Sequence, residues 1–173
     1  VENPLVPLPE VNHVPREQHH LLLLARKDPI KGHGFAVEVA KELRKTFPEL
    51  KLTMTGESQS EHAWVDAKGW VSQDEKASLI AQSSLLLLPS AFEGQPVAAL
   101  EALSGGLPVC VSDRVVSLPD TVRQAPWGDV DAWTTTVRDM LTNPQDEATL
   151  RSSVAEHAVE QIQQRWKTVY ESF

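Results

Sequence analysis

Leu21-Leu22-Leu23-Leu24-Ala25 and Leu85-Leu86-Leu87-Leu88 are unbroken apolar runs. A strand with no polar side cannot lie on a surface, so each must be covered on both faces, as in a parallel sheet between two helical layers. Residues 50–55, 62–67 and 108–112 supply three more short stretches of strand character. Between these runs the apolar period changes. Phe35, Val37, Val39, Ala40, Leu43 and Phe47 recur at helical spacing over 35–47 and stop before Pro48. Ser72-Gln73-Asp74-Glu75 is a capping box that opens a helix to about residue 82. Residues 97–104 read as a helix stopped by Gly105-Gly106, and two or three further helices are expected over 118–173. Strands alternating with helices predict an α/β fold, a Rossmann-like doubly wound parallel sheet. Residues 1–20, with Pro4, Pro7, Pro9 and Pro15 and no period, are expected to be an extended linker or lead-in, and 21–173 the domain itself.

Composition narrows the partners. With 16 Lys+Arg against 24 Asp+Glu the net charge is −8, which argues against a nucleic-acid binder, because phosphate-backbone affinity is built from clustered cations. Any anion must then be met locally. The single Cys110 excludes an internal disulfide framework and a cysteine zinc site, and it fits a reducing compartment. No apolar run approaches the roughly 20 residues of a bilayer span, so no transmembrane segment is expected.

Ligands of doubly wound sheets collect outside the carboxyl ends of the strands. The loop Arg26-Lys27-Asp28-Pro29-Ile30-Lys31-Gly32 places cations before a helix start, where the helix dipole is also positive. Arriving phosphate would relieve that repulsion; a solvated loop is the alternative. The loop lacks the glycine pattern of a P-loop or of a dinucleotide fold. The second loop is Pro89-Ser90-Ala91-Phe92-Glu93-Gly94-Gln95-Pro96. Pro96 suits the first helical position and leaves the amides of Gly94, Gln95 and Val97 to face a ligand, while Gly94 allows close backbone approach. Glu101 follows in a helix apolar almost all round, so its carboxylate must be hydrogen-bonded or paired. Its side chain tilts back toward Glu93. A sugar nucleotide fits: ribose on the inner carboxylate, phosphates at amides and cations, a hexose hydroxyl on the outer carboxylate. An internal partner for Glu101 is the competing reading.

Other signals point elsewhere. Asp129-Val130-Asp131 spells a metal-binding D-x-D, but it follows Trp127-Gly128 and opens a helical pattern, which favours a helix cap. His19-His20 reads as surface, and His33 either touches a phosphate oxygen or is solvated. Asp113-Arg114 either reaches the sugar or makes a capping turn. Cys110, between Val109 and Val111, reads as core.

Glu93 and Glu101, with seven residues between them inside PSAFEGQPVAALEALSGGLPVCVSD, resemble the E-x7-E segment of retaining GT-B glycosyltransferases of family 4. ARKDPIKG is similar to that family's G-R-x-x-x-x-K-G phosphate loop, with Ala25 in place of its first Gly. VDAKGWVSQDE resembles its V-x-F-x-G-x-V turn, with Ala67 in place of the aromatic, and RWKTVYESF its closing segment. The resemblance implies the C-terminal, donor-binding half of a hexosyltransferase. In it Arg26 and Lys31 hold the diphosphate, Glu93 with the amides of Gly94 and Gln95 at Pro96 meets the transferred sugar, and Glu101 takes the ribose. Gly69 and Trp70 sit beside the base. It further implies a UDP-, GDP- or ADP-sugar donor, no cofactor and no metal, and retained anomeric configuration. The glycan, lipid or small-molecule acceptor is held by a missing N-terminal Rossmann-like domain. Cytoplasmic location is expected, with any peripheral attachment to the inner membrane face left to that missing half. A sugar-nucleotide epimerase or phosphorylase of the same architecture and a non-catalytic α/β regulatory domain are the alternatives.

Overall fold

The computed structural model describes residues 2–12 and 14–172. Six parallel strands, β1 (His20–Leu23), β2 (Lys51–Thr55), β3 (Val65–Gly69), β4 (Leu85–Leu88), β5 (Val109–Ser112) and β6 (Arg123–Ala125), form one sheet in the order β3-β2-β1-β4-β5-β6. Six α-helices accompany them: α1 (His33–Leu43), α2 (Gln73–Gln82), α3 (Val97–Ser104), α4 (Val130–Thr142), α5 (Glu147–Ser152) and α6 (Val159–Glu171). The leucine runs behave as their composition requires. Successive side chains of a strand point to opposite faces. Leu21, Leu23, Leu85 and Leu87 join one core with Val39, Leu43, Trp133 and Val137. Leu22, Leu24, Leu86 and Leu88 join the other, with Ile80, Leu100, Leu103 and Leu150. Both faces of the sheet are therefore covered, α1 and α4 on one side and α2, α3 and α5 on the other.

Helix starts follow local chemistry. Ser72 accepts the Glu75 N–H at 3.1 Å to cap α2, Asp129 accepts the Ala132 N–H at 2.9 Å to cap α4, and Asp146 accepts the Thr149 N–H at 2.8 Å to cap α5. The first carboxylate of the D-x-D is thus a helix cap. Among the described residues no helix is long and apolar enough to cross a membrane.

Three expectations change. The stretch after residue 118 contains β6 as well as helices; with only three residues, two of them exposed, it has no apolar run to announce it, and its pairing with β5 makes it a strand. His20 is buried, not on the surface: Nε2 lies 2.8 Å from Thr53 Oγ1, while Nδ1 has no hydrogen-bond partner among the described residues and lies 3.6 Å from Glu17 Oε2. Before His20, which begins β1, the described residues of the lead-in form no helix or strand but are tied down at several points. Leu5 is buried and its N–H donates to His157 O at 2.7 Å, and the Glu17 N–H donates to Gln82 O at 2.7 Å.

Burial of His20, with Lys51 beside it, pulls its imidazole below the ordinary value of 6.5 against the opposing pull of Glu17 and Asp66. The unfolded chain then binds more protons than the native one between the two values, so this contribution is complete above 6.5 and is lost as pH falls through it. Denaturation midpoints should drop from about pH 8 to about pH 5, and less steeply in His20→Asn. A midpoint slope unchanged by the substitution would contradict this.

Candidate functional site at the sheet switch point

Strand order reverses between β1 and β4, so the loops leaving them diverge to opposite faces and open a crevice between. These loops, residues 24–32 and 89–96, touch. The first contains a 3-10 turn, Pro29–Lys31, capped by Asp28, and ends at Gly32 in the left-handed region at φ 76°. A Cβ there would lie 2.7 Å from the Pro89 carbonyl oxygen, so glycine is needed for conformation and for space alike. The Ala91 N–H donates to Ile30 O at 2.8 Å, and Ser112 Oγ donates to Ser90 O at 2.5 Å, seating the second loop between β1 and β5.

That contact brings Lys31 to Glu93. The two form a mostly buried ion pair, and Ser90 Oγ donates to the other carboxylate oxygen at 3.3 Å. Arg26 is placed differently: its guanidinium is 73% exposed and rests on Asp28 at 3.3 Å. Pro96 is the N-cap of α3, one position earlier than expected, with extended backbone at φ −72° and ψ 119°. Among the described residues no side chain caps this helix end, so its first amides remain for another acceptor. Gly94 has a negative φ and nothing within 4 Å of where a Cβ would sit. The fold itself does not require glycine there. The Gln95 side chain is engaged, donating to Ser117 O at 2.8 Å and accepting the Asn3 N–H at 2.6 Å.

Deeper in α3, Glu101 is only 9% exposed. Lys76 Nζ of α2 donates to its Oε1 at 2.6 Å. The internal partner expected in the competing reading exists, and it is a lysine. The two acids on the α3 segment are therefore each matched by a lysine from a different crossover.

At the end of β3, Gly69 takes φ 66°, donates its N–H to Glu57 O at 2.7 Å and accepts the Gly56 N–H at 2.8 Å. Trp70 projects from this turn 93% exposed. His33 is buried rather than solvated, and its Nε2 donates to Thr55 O at 2.8 Å, tying α1 to β2. Asp113 accepts the Trp127 N–H at 2.9 Å and the Arg114 guanidinium lies 4.0 Å over the Trp127 ring. Cys110 is buried and its thiol is pushed up to about 12 by that burial, so it supplies no thiolate. Among the described residues no three His, Cys, Asp or Glu side chains converge as a metal site.

Lys76 escaped the sequence reading because nothing local marks it; only the folded crossover brings it to a residue 25 positions away.

The family model described as glycosyl transferases group 1 matches residues 18–154. The chain is 30% identical over 112 residues to the MMP alpha-(1->4)-mannosyltransferase of Mycolicibacterium hassiacum, covering 61% of this chain and 26% of that protein. It is 30% identical over 136 residues to the amylovoran biosynthesis glycosyltransferase AmsK of Erwinia amylovora, covering 65% of this chain and 33% of that protein. The chain thus spans about a third or less of these curated relatives. Among solved structures, a Staphylococcus aureus TarM variant in complex with Fondaparinux, alpha-GlcNAc-glycerol and UDP superposes with a TM-score of 0.80 at 15% identity, over 96% of this chain and 38% of that one. The GtfA/B complex gives 0.76 at 17% identity, over 98% of this chain and 39% of that one. The fold is that of GT-B glycosyltransferases, and with the family model matched over most of its length the chain belongs to glycosyl transferases group 1.

Proposed function

We propose that this chain is the donor-binding half of a retaining glycosyltransferase, holding a nucleotide-diphosphate sugar while a hexosyl group passes to a glycan, lipid or small-molecule acceptor bound by another domain. The observation that carries the reading is the Lys31–Glu93 pair beside the uncapped N-terminus of α3 at the switch point. Without donor, Glu93 balances a lysine placed near the positive end of a helix. With a diphosphate present, Lys31 exchanges its carboxylate partner for a phosphate oxygen, and Glu93 is released to accept a hydroxyl of the transferred sugar. Arg26, exposed on a short tether to Asp28, can swing to the same phosphates.

As the sugar–phosphate bond lengthens, negative charge grows on the leaving diphosphate. Once Lys31 and Arg26 have turned onto the phosphates, they and the first amides of α3 stabilise that growing charge electrostatically. In this reading those cations do the work of a metal, Glu101 receives the ribose, and the Gly69-Trp70 turn borders the base. The reading sets the chain in the cytoplasm, in keeping with its one reduced, buried cysteine, with any attachment to the membrane face carried by the other half. The UDP in the TarM complex agrees with a nucleotide donor.

Thermal melting with UDP, GDP and ADP tests this. At 100-fold excess over the dissociation constant, one of them should add about 2.7 kcal/mol of stability. Unchanged melting with all three would overturn the reading.

A further inference from the structure

The Lys76–Glu101 pair is unusual in where its donors and acceptors point. Lys76 lies on α2, Glu101 on α3, and both side chains are nearly buried, with 17% and 11% exposure. Lys76 Nζ holds Oε1 at 2.6 Å, whereas Oε2 of the same carboxylate has no hydrogen-bond partner among the described residues. One oxygen is therefore clamped and the other is presented. The α2 helix also meets the turn at the end of β3: Lys68, beside Gly69, lies 3.2 Å from Asp66 and 3.8 Å from Glu75, the neighbour of Lys76.

A lysine fixed on one oxygen holds the Glu101 carboxylate in one orientation, and its remaining ammonium hydrogens can serve a second oxygen nearby. Two adjacent hydroxyls match that pattern, one donating to Oε2 and the other accepting from Nζ.

We infer that Lys76 is the positioning residue for the ribose, and that the Lys76–Glu101 pair together, not Glu101 alone, selects vicinal hydroxyls on the donor nucleotide. This rests on the donor-binding reading above. The test is calorimetric binding of whichever of UDP, GDP and ADP raises the melting temperature most, and of its 2′,3′-dideoxy counterpart, to wild type, Lys76→Met and Lys76→Arg. Wild type should prefer the ribonucleotide about 10- to 100-fold, the range of one or two hydrogen bonds to a charged group. Lys76→Met should bring that ratio close to one, and Lys76→Arg should restore most of it.

Because the ratio compares two ligands on one preparation, any loss of folded protein cancels. Should Lys76→Met fail to fold, Lys76→Gln, which keeps a donor and removes the charge, gives the same readout. A ratio unchanged in Lys76→Met and Lys76→Gln overturns the inference and leaves the donor site standing. A wild type that binds both nucleotides equally removes Glu101 from the ribose and Lys76 with it. A wild type that binds no nucleotide overturns the donor reading as well.

Discussion

Arg16→Ala should lower the unfolding free energy by about 2–4 kcal/mol, the cost of leaving part-buried helix-end carbonyls without a charged donor. Arg16 lies in the proline-rich lead-in, yet its guanidinium is mostly covered and makes contacts on every side. It donates to Ile80 O at 2.7 Å, Ala81 O at 3.2 Å and Ser83 O at 3.0 Å at the end of α2, and to Gly105 O at 2.7 Å at the end of α3. Nε donates to Glu147 Oε1 at 2.9 Å on α5. The last carbonyls of a helix have no partner within it, and here one cation serves two helix ends. Burial alone would raise the Glu147 carboxyl, but the hydrogen bond and charge of Arg16, helped by Arg151, hold it below the usual carboxylate range. Truncation would leave several carbonyls short of a donor and loosen α2 from α3. Chemical denaturation measures the effect directly; a loss below about 1 kcal/mol, the level of an exposed ion pair, would mean that water replaces these bonds at little cost.

Gly32→Ala should cost about 2–4 kcal/mol, by two additive routes. The left-handed backbone at φ 76° penalises any Cβ by about 1–2 kcal/mol. The new Cβ would also lie 2.7 Å from Pro89 O and 3.0 Å from Pro89 Cγ. Backbone cannot swing aside like a long side chain, so the loops after β1 and β4 must separate, and Lys31 is carried away from Glu93. Nucleotide affinity should fall with stability. Gly94→Ala is the matched control for folding, because the space in front of it is open. Equal stability of wild type and Gly32→Ala would show that the two loops do not bear on one another.

Much of the architecture was legible because its signals are local. Consecutive leucines imply a strand covered on both faces without knowledge of its neighbours, and β4 spans Leu85–Leu88 as read. The capping serine of α2 and the span of α3 follow from residues within one or two turns. The carboxyl ends of β1 and β4 follow from the same local signals, and they meet at the switch point. What stayed hidden depends on partners far along the chain. Arg123–Ala125 becomes a strand only because β5 offers it a ladder. His20 looks like a polar residue ahead of a strand until β2 supplies Thr53. Arg16 looks like one charge in a polar lead-in until α2, α3 and α5 converge on it. Glu101 was recognised as a carboxylate needing a partner, since an apolar helix demands it, but the identity of that partner is set by how α2 packs over α3.

The most direct test of the account is a crystal structure of the chain with the best-binding nucleoside diphosphate of the UDP, GDP and ADP panel. The phosphates should lie at the first amides of α3 beside Gly94, with Lys31 turned from Glu93 onto a phosphate oxygen and the ribose hydroxyls at Glu101. Phosphates bound elsewhere on the domain, with the Lys31–Glu93 pair intact, would contradict it.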